Sequence, residues 1–521
     1  MKTKNNIRKE TMRNNNYKER DKNSSYYYRH GIFMETLYQR MGFNKNPFQN
    51  LSAEQEISYI EQIYYNPSYF TSIFSAIKDN NTNFIFGNRG SGKSALMFKI
   101  IEELQKEDKE SEKNLSVLID NYSSLLNPNT NLNKYYILLI KAILRTYMTN
   151  LLLKQIGIER LDKINREKLA VLIENFYTTI SKTEFDMFRT THKLYNEIIN
   201  PTINSFLNTG VGITSDFIAQ SLGLKLPVNS EYYREYLPKI KITDSKMNIE
   251  TLELGDLEVF LENMIEIVKA SGYETIAVLM DKIDEQAEVG GKIDAEVQLL
   301  IPLLTKNNLL LNGKFGFNLF LWSKLKTELS REGVRFDKIK PIDVTWTSQE
   351  MVEIIQKRIK YFSDGKVDYY SLFEDKTDGN KLIQLSNNSP RDLITLLSFI
   401  YYEEEKSSKT TKTFSKKSVE TGITTGLYNY NFYSAYPTQR GSRQDIRKII
   451  YRLKKVQKDR FKIKDLITAF KITQPAVLSF VTIMKDYGVI GEDLSVVGSA
   501  NEYIILDPKI AYIVKNQLEI S

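Results

Sequence analysis

Eight consecutive residues in the first fifth of the chain form a pattern that could bind phosphate. They fit G-x-x-x-x-G-K-[ST] in full and are Gly87, Asn88, Arg89, Gly90, Ser91, Gly92, Lys93 and Ser94. The glycines let the backbone curl so that successive N–H groups point at phosphate oxygens, while Lys93 reaches the β- and γ-phosphates and the Ser94 hydroxyl ligates magnesium. The motif predicts a site for ATP and Mg²⁺; the alternative is a chance match in a Gly/Ser loop.

A second group of residues supplies the carboxylates that such a loop needs. The apolar run Ile276 to Met280 is followed by Asp281, Lys282, Ile283, Asp284 and Glu285. Asp281, at the strand tip, is the predicted magnesium ligand, and Asp284 or Glu285 is predicted to polarise the attacking water. Many ATPases with this loop place a glutamate directly after the first aspartate, where this chain has Lys282. The choice between Asp284 and Glu285, and the rate of hydrolysis, therefore stay open, and a surface acidic turn is the alternative.

The elements around these residues predict an α/β fold with a parallel sheet. Phe84 to Phe86 precede the glycine loop, and the helical pattern Ala95 to Leu104 follows it. Further apolar runs predict strands at Leu115–Ile119, Thr275–Met280, Phe315–Leu321 and Ile342–Val344. Strands that alternate with helices in this way are typical of a parallel α/β sheet. Residues 130–270 read as mostly helical, and no internal repeat is found.

Composition narrows the chemistry that the chain can perform. It has 521 residues, no cysteine and two histidines, His30 and His192. Zinc sites, cysteine nucleophiles and His-based nuclease centres therefore lack their ligands and bases. No run reaches the length of about 18 apolar residues that a membrane span requires, and the N-terminus lacks the apolar region of a secretory signal. We expect a cytoplasmic protein with no membrane partner.

The net charge of +8 is concentrated in two segments. Residues 1–41 carry +6 and residues 443–464 carry +8, which leaves −6 for the rest of the chain. Residues 1–41 form a predicted disordered tail. The segment 443–464 could contact DNA phosphates; the alternatives are a solvated helix or a surface that binds an acidic protein.

The last hundred residues have the outline of a winged helix. Residues 465–470 and 475–487 read as two helices, and 487–490 and 503–506 read as short strands that could form a wing. The second helix has a face poor in cations, so the denser charge lies upstream of it. Winged helices also serve as protein-interaction modules.

Taken together, these residues resemble a known family. The segments that carry the resemblance are Asn46-Pro47-Phe48, Ala53-Glu54, Pro67-Ser68-Tyr69-Phe70, Gly87 to Ser94 and the Asp281-x-x-Asp284-Glu285 box. They look like the bacterial AAA+ ATPases related to origin-recognition/Cdc-type replication initiators, several of which lie in antiphage or mobile-element neighbourhoods. The resemblance covers about residues 42–400.

The resemblance implies a domain organisation and further site residues. It implies an AAA+ core at 42–345 with a helical insertion at about 130–270, a helical lid at 346–425 and a winged-helix-like domain at 426–521. Ser323 stands where the family keeps a polar group near the γ-phosphate. The run Ser389-Pro390-Arg391-Asp392 resembles the motif in which an arginine of the lid reaches the nucleotide. Arg335 or Arg331 is placed like an arginine finger that serves a neighbouring subunit.

Two functions follow as expectations. The first is an oligomeric switch that binds and hydrolyses ATP and acts on DNA, or in antiphage defence with a separate effector protein. The second is a nucleotide-gated scaffold that does not hydrolyse ATP and recruits a partner. An autonomous nuclease is disfavoured, because no convincing carboxylate spacing lies outside the ATPase box.

Overall fold

The computed structural model is built around a five-stranded sheet. It describes residues 35–111, 114–126, 130–152, 157–177, 216, 219–220, 222–225, 248–286, 288–437, 445–492 and 502–521. The strands of the sheet are β1 Asn83–Gly87, β2 Asn114–Ile119, β3 Thr275–Met280, β4 Gly316–Trp322 and β5 Ile342–Val344. All neighbouring pairs are parallel and the order is β2-β3-β4-β1-β5. The predicted α/β class and parallel sheet are confirmed.

Both faces of this sheet are covered, which is why its strands read as nearly continuous apolar runs. In β1, Phe84 and Phe86 pack into one core while Ile85 packs into the other. In β3, Val278 and Leu279 divide in the same way. Because the strands are parallel, their carboxyl ends meet at one edge, where the loops after β1 and β3 lie.

Helices surround the sheet from residue 37 to residue 331. Their bounds are α1 Leu37–Arg40, α2 Ile60–Ile63, α3 Phe70–Lys78, α4 Lys93–Ser111, α5 Leu132–Leu152, α6 Lys163–Phe176, α7 Leu254–Ala270, α8 Ile293–Leu304, α9 Asn307–Leu310 and α10 Lys326–Arg331. In the predicted insertion at 130–270, α5, α6 and α7 pack together against one face of the sheet. Most of the remaining insertion, 178–247 apart from 216, 219–220 and 222–225, lies outside the described residues, as do residues 1–34 of the predicted tail. Residues 37–40 of that predicted disordered tail form α1, and Leu37 is buried.

A second helical region follows the sheet. Its helices are α11 Ser348–Phe362, α12 Lys376–Leu385, α13 Pro390–Ser407, α14 Lys416–Tyr428 and α15 Phe432–Ala435. The closest packing in this region is between α13 and α14, where Gly422 approaches Ile400 so closely that a Cβ would lie 2.6 Å from its Cα. Its apolar side chains continue the core on the face of the sheet that contains Ile85.

The C-terminal segment contains a small antiparallel sheet. Its elements are α16 Ile446–Lys454, β6 Arg460–Lys462, α17 Ile463–Phe470, α18 Gln474–Asp486, β7 Ile490–Glu492, β8 Glu502–Ile505 and α19 Pro508–Asn516. The strand order is β6-β8-β7. The helices α17 and α18 meet at 108°. Lys471, between them, has φ +53°, a left-handed conformation that ends α17 sharply.

No single helix in the described ranges is both long and apolar enough to cross a membrane. The bent pair of α17 and α18 meets that test only when its two members are taken together.

Candidate nucleotide site

The glycine loop joins β1 to α4 and wraps around the side chain of Lys93. The Lys93 ammonium donates to the carbonyl oxygens of Gly87 at 3.0 Å and Asn88 at 3.3 Å, and only 8% of the residue is exposed. Gly90 and Gly92 have φ of +79° and +93°, which side chains with a Cβ rarely adopt. Burial lowers the pKa of Lys93, so an ammonium here is short of solvation and favours an anionic ligand. The loop thus combines a constrained backbone with a buried cation at a helix N-terminus.

The end of the loop contacts the tip of β3. The Ser94 hydroxyl donates to Asp281 Oδ2 at 2.6 Å, although the two residues lie 187 positions apart in sequence. Asp281 is 2% exposed, and burial raises the pKa of its carboxyl. A hydroxyl and a carboxylate are hard oxygen ligands of the kind that Mg²⁺ prefers. Within the described ranges no group of three or more Asp, Glu, His or Cys side chains is arranged to hold a metal ion.

A buried tyrosine holds Asp281 in place. The Tyr122 hydroxyl is 3.0 Å from the carbonyl oxygen of Asp281 and 2.9 Å from that of Ile119, the last residue of β2. The Asp281 amide also donates to the Ile119 carbonyl at 3.1 Å. The carboxylate therefore projects from a fixed point at the edge of the sheet.

The two remaining carboxylates of the acidic box differ in their surroundings. Asp284 is 9% exposed, and its Oδ2 accepts from Arg89 Nε at 2.8 Å. Glu285 is exposed, and it lines the cleft that begins at the glycine loop. Its pKa is raised, first by partial burial and then by the neighbouring Asp284 carboxylate. Asp284 is thus engaged by the loop, whereas Glu285 is a carboxylate of raised pKa that lines the cleft.

Lys282 occupies a strained backbone position between these acids. Its φ of +62° is left-handed, and its ammonium lies 2.8 Å from Glu54 Oε1. Burial lowers the pKa of Lys282, but Glu54 and the other acidic neighbours together leave it above its usual value. The Lys282–Glu54 ion pair ties the acidic box to the segment that precedes α2.

A cleft of about 1100 Å³, open solvent included, extends from the glycine loop to an apolar end. Among the side chains that line the apolar end are Leu51, Ala53, Ile63, Trp346, Ile354 and Leu393. The indole N–H of Trp346 donates to the Ser91 carbonyl at 2.7 Å, which fixes this wall against the loop. The cavity is therefore lined both by charged side chains of the glycine loop and acidic box and by apolar side chains, as ligand sites commonly are.

The start of α13 closes the cleft beside the glycine loop. Ser389 caps the helix by accepting from the Asp392 amide at 3.2 Å, and Pro390 occupies its first turn. The Arg391 amide approaches the Gly90 carbonyl at 3.4 Å, and the exposed Arg391 side chain lines the cleft. A Cβ on Gly90 would lie 2.5 Å from Ser389 Oγ, so this contact requires glycine.

Three residues predicted from the resemblance lie outside the cleft lining. Ser323 directly follows β4, next to the strand that carries the glycine loop. Arg335 pairs with Asp337 through contacts of 2.8 and 2.7 Å, and Arg331 pairs with Glu328 at 2.5 Å. The two arginine side chains are 50% and 69% exposed, so both are accessible to another molecule.

One buried carboxyl near the acidic box has no counterpart among the sequence predictions. Glu296, in the first turn of α8, is fully buried, and its Oε1 accepts from the Gly291 amide at 2.8 Å. Its Oε2 has no hydrogen-bond partner among the described residues. Burial, and then the Asp284 carboxylate, raise the pKa of Glu296 from 4.5 to about 7; Arg89 and Lys93 oppose them.

This raised pKa predicts a pH-dependent loss of stability. The fold favours protonated Glu296, so the stabilisation is complete below pH 4.5 and is lost as the pH rises through about 7. We expect Glu296→Gln to remove this loss, worth at most about 3 kcal/mol in the free energy of unfolding. Denaturant unfolding at pH 5 to 8 should give a flatter profile for this variant than for wild type. The exposed Glu288→Gln serves as control, and parallel profiles for wild type and Glu296→Gln would refute the assignment.

The sequence predictions missed most of the residues that shape this site. Tyr122, Trp346, Glu296 and the apolar end of the cleft carry no local motif. Trp346 could have been predicted as a site residue, because it is one of only two tryptophans and lies just after the predicted strand Ile342–Val344.

Compared with known proteins, this chain matches no family model and no curated protein sequence.

Proposed function

We propose that this chain is an AAA+ ATPase that binds and hydrolyses Mg²⁺-bound ATP and acts as an oligomeric switch. In this proposal residues 42–345 form the ATPase core, 346–425 the lid and 426–521 a winged-helix-like domain. The parallel sheet is compatible with a P-loop fold, and α11 and α13 contribute residues to the cleft from the proposed lid. The helices α17 and α18 followed by β7 and β8 give the order expected of a winged helix.

The observation that carries the proposal is the 2.6 Å contact between Ser94 and Asp281 beside buried Lys93. It brings together a hydroxyl, a carboxylate and a cation from two distant segments. These are the groups that hold the phosphates and the magnesium of a nucleoside triphosphate. A surface acidic turn would be expected to stay solvated, and not to be buried against the glycine loop.

The chain's own residues can be assigned roles in hydrolysis. Ser94 and Asp281 would hold Mg²⁺, which neutralises developing phosphate charge when bound. Lys93 would contact the β- and γ-phosphates, and Arg391 would reach the nucleotide from the lid. We assign the polarisation of water to Glu285, because Asp284 is already occupied by Arg89.

The apolar end of the cleft fits the base of the nucleotide. Leu51, Ile354 and Leu393 come from three separate segments and supply apolar surface of the kind that a nucleobase would contact. Trp346 forms part of the same wall. This placement would put the base against the segment before α2 and the phosphates against the glycine loop.

The proposal of an oligomer with an arginine finger depends on exposed arginine residues. Arg335, or Arg331, would complete the site of a neighbouring subunit after leaving its carboxylate partner. Ser323 would lie near the γ-phosphate, since β4 neighbours β1. A separate effector protein and a cytoplasmic location belong to the same proposal.

We propose that any DNA contact is made by residues 443–464 and the winged-helix-like domain, and not by the ATPase core. Of the predicted cations, Lys454 pairs with Glu519 at 2.8 Å, Lys462 with Glu502 at 2.5 Å and Lys458 with Asp465 at 3.6 Å. The Arg452 guanidinium lies 4.5 Å from the centre of the Phe480 ring. These pairs reduce the charge that phosphates can reach, and residues 443–444 lie outside the described ranges.

One observation favours the scaffold that does not hydrolyse ATP. Lys282 stands directly after Asp281 and is held by Glu54 at 2.8 Å, so a cation occupies the position of the usual glutamate. ATP could then bind without efficient activation of water.

A hydrolysis assay separates the two functions. We expect Glu285→Gln to lower kcat by about 10²–10⁴-fold, the range typical of a lost general base, and Asp284→Asn to have the smaller effect. Phosphate release would be measured for wild type, both variants and the exposed control Glu288→Gln, with and without DNA. Tight ATP binding by a wild type that shows no turnover would instead establish the scaffold.

A further inference from the structure

Arg89 lies in the glycine loop, yet its guanidinium is committed to the protein. Its Nε donates to Asp284 Oδ2 and its Nη2 to the Asp284 carbonyl, each at 2.8 Å. Its Nη1 donates to Ser434 Oγ at 2.8 Å. The ring of Trp322 lies beneath it, with 4.9 Å between the guanidinium carbon and the ring centre. Three nitrogens of the rigid fork are thus used, two of them to fix a single residue of the acidic box.

Ser434 belongs to α15, 345 positions away from Arg89 in sequence. Two residues further on, the Tyr436 hydroxyl donates to Asp507 Oδ2 at 2.8 Å in a buried contact. Asp507 in turn caps α19, accepting from the Lys509 amide at 2.8 Å. A chain of polar contacts therefore runs from Asp284 through Arg89 to the C-terminal helix.

A second contact joins the same helix to the other side of the glycine loop. The ammonium of Lys509 is 2.7 Å from Asp392 Oδ2, and Lys509 is only 2% exposed. Asp392 directly follows Arg391, which lines the cleft, and it also accepts from the Tyr430 hydroxyl at 3.1 Å. The C-terminal segment is thus fastened to residues on both sides of the site. The buried Lys509–Asp392 ion pair and the planar Arg89 guanidinium both restrict how the C-terminal segment can sit beside the glycine loop.

We propose that Arg89 is a positioning residue that makes ATP turnover depend on the seating of α15. The inference rests on the proposed ATP hydrolysis and concerns how that hydrolysis is regulated. While Ser434 holds one arm of Arg89, the other two arms hold Asp284 and leave Glu285 facing the cleft. Displacement of α15 from Arg89 would release Asp284 and slow turnover without weakening ATP binding.

The test measures kcat and KM separately for four variants. Arg89→Lys keeps the positive charge but loses the forked guanidinium. We therefore expect kcat to fall at least tenfold, which is about 1.4 kcal/mol in activation free energy, while KM stays within threefold of wild type. Ser434→Ala should lower kcat about threefold to tenfold, and Ser434→Thr, which keeps the hydroxyl, should restore it. Ser371→Ala is the matched control, because this serine is exposed and its hydroxyl donates to the local Asp368 carbonyl at 2.7 Å.

The double variant gives a readout that a general structural defect would not reproduce. In the Arg89→Lys background, Ser434→Ala should have little further effect, since the shared contact is already lost. Unchanged kcat in both single variants, or changes in KM alone, would overturn the inference while leaving the proposed hydrolysis intact.

Hydrogen exchange tests whether Arg89 holds α15 in place, and it does not depend on ATP turnover. We expect the amides of residues 432–436 to exchange at least about tenfold faster in Arg89→Lys than in wild type. A wild type without turnover would contradict the proposed hydrolysis, and equal exchange in the two proteins would overturn the bridge itself.

Discussion

Lys93→Ala should reduce kcat/KM for ATP hydrolysis by at least about 10²-fold, because it removes a cation aimed at the charge that develops on the phosphates. The ammonium is 8% exposed and is held by the Gly87 and Asn88 carbonyls, so it is preorganised for an anion. Its solvation in water is already lost on folding, which makes its interaction with phosphate stronger than that of a surface lysine. Phosphate release and equilibrium binding of Mg²⁺-bound ATP would both be measured.

Lys314→Ala is the control for this experiment. The Lys314 side chain forms an exposed ion pair with Glu262, at 3.4 Å, so its replacement should leave both measurements unchanged. Binding and turnover at wild-type levels in Lys93→Ala would mean that the glycine loop does not hold the nucleotide.

Arg358→Ala should lower the free energy of unfolding by about 3–5 kcal/mol, because it leaves the Glu56 carboxylate buried without its partner. The two residues are 4% and 7% exposed and form a two-pronged pair, with Nη1 2.9 Å from Glu56 Oε2 and Nη2 bonded to Oε1. Arg358 also donates to the Pro47 carbonyl at 2.5 Å and to the Asn50 carbonyl at 3.2 Å. The pair therefore fastens α11 to the segment that lines the apolar end of the cleft.

Two companion variants separate a lost pair from a lost contact. The double variant Glu56→Leu/Arg358→Met removes both charges and should be more stable than Arg358→Ala, since no unpaired ion stays buried. Lys314→Ala, which breaks an exposed pair, should cost less than about 1 kcal/mol. Denaturant titration measures all three, and a loss for Arg358→Ala no larger than that of Lys314→Ala would contradict the burial argument.

The framework of the sheet could be predicted because its signals are local. Each strand is an apolar run that ends at glycine or at a polar residue, and the five predicted positions coincide with β1 to β5 to within one residue at most ends. The Gly87–Ser94 motif and the acidic box were equally visible, because their spacing along the chain is itself the signal. Parallel geometry then required the ends of β1 and β3 to meet.

The contacts that tune the site could not be predicted in the same way. Arg89 reaches Ser434 across 345 positions and Arg358 reaches Glu56 across 302. Glu296 reads in the sequence as an ordinary acid at the start of a helix. Only the folded chain shows that it is buried beside Asp284. Pairings of this kind depend on tertiary packing, for which composition and periodicity carry no information.

The packing of the C-terminal segment also changes how its charge is interpreted. In sequence, residues 443–464 are a basic stripe, and a stripe of this density predicts phosphate binding. In the fold, Lys454, Lys458 and Lys462 have acidic partners, and α19 reaches back to the glycine loop region through Lys509. The C-terminal segment is therefore linked through Lys509 to the helix that begins beside the glycine loop.

The most direct test of the central claim is a structure determined with Mg²⁺ and a slowly hydrolysed ATP analogue. We expect the triphosphate to lie along residues 87–94, with the metal next to Ser94 and Asp281 and the base at the apolar end near Leu51 and Ile354. A nucleotide bound elsewhere, or no nucleotide at saturating concentration with the contact between Ser94 and Asp281 intact, would contradict the assignment of this cleft as an ATP site.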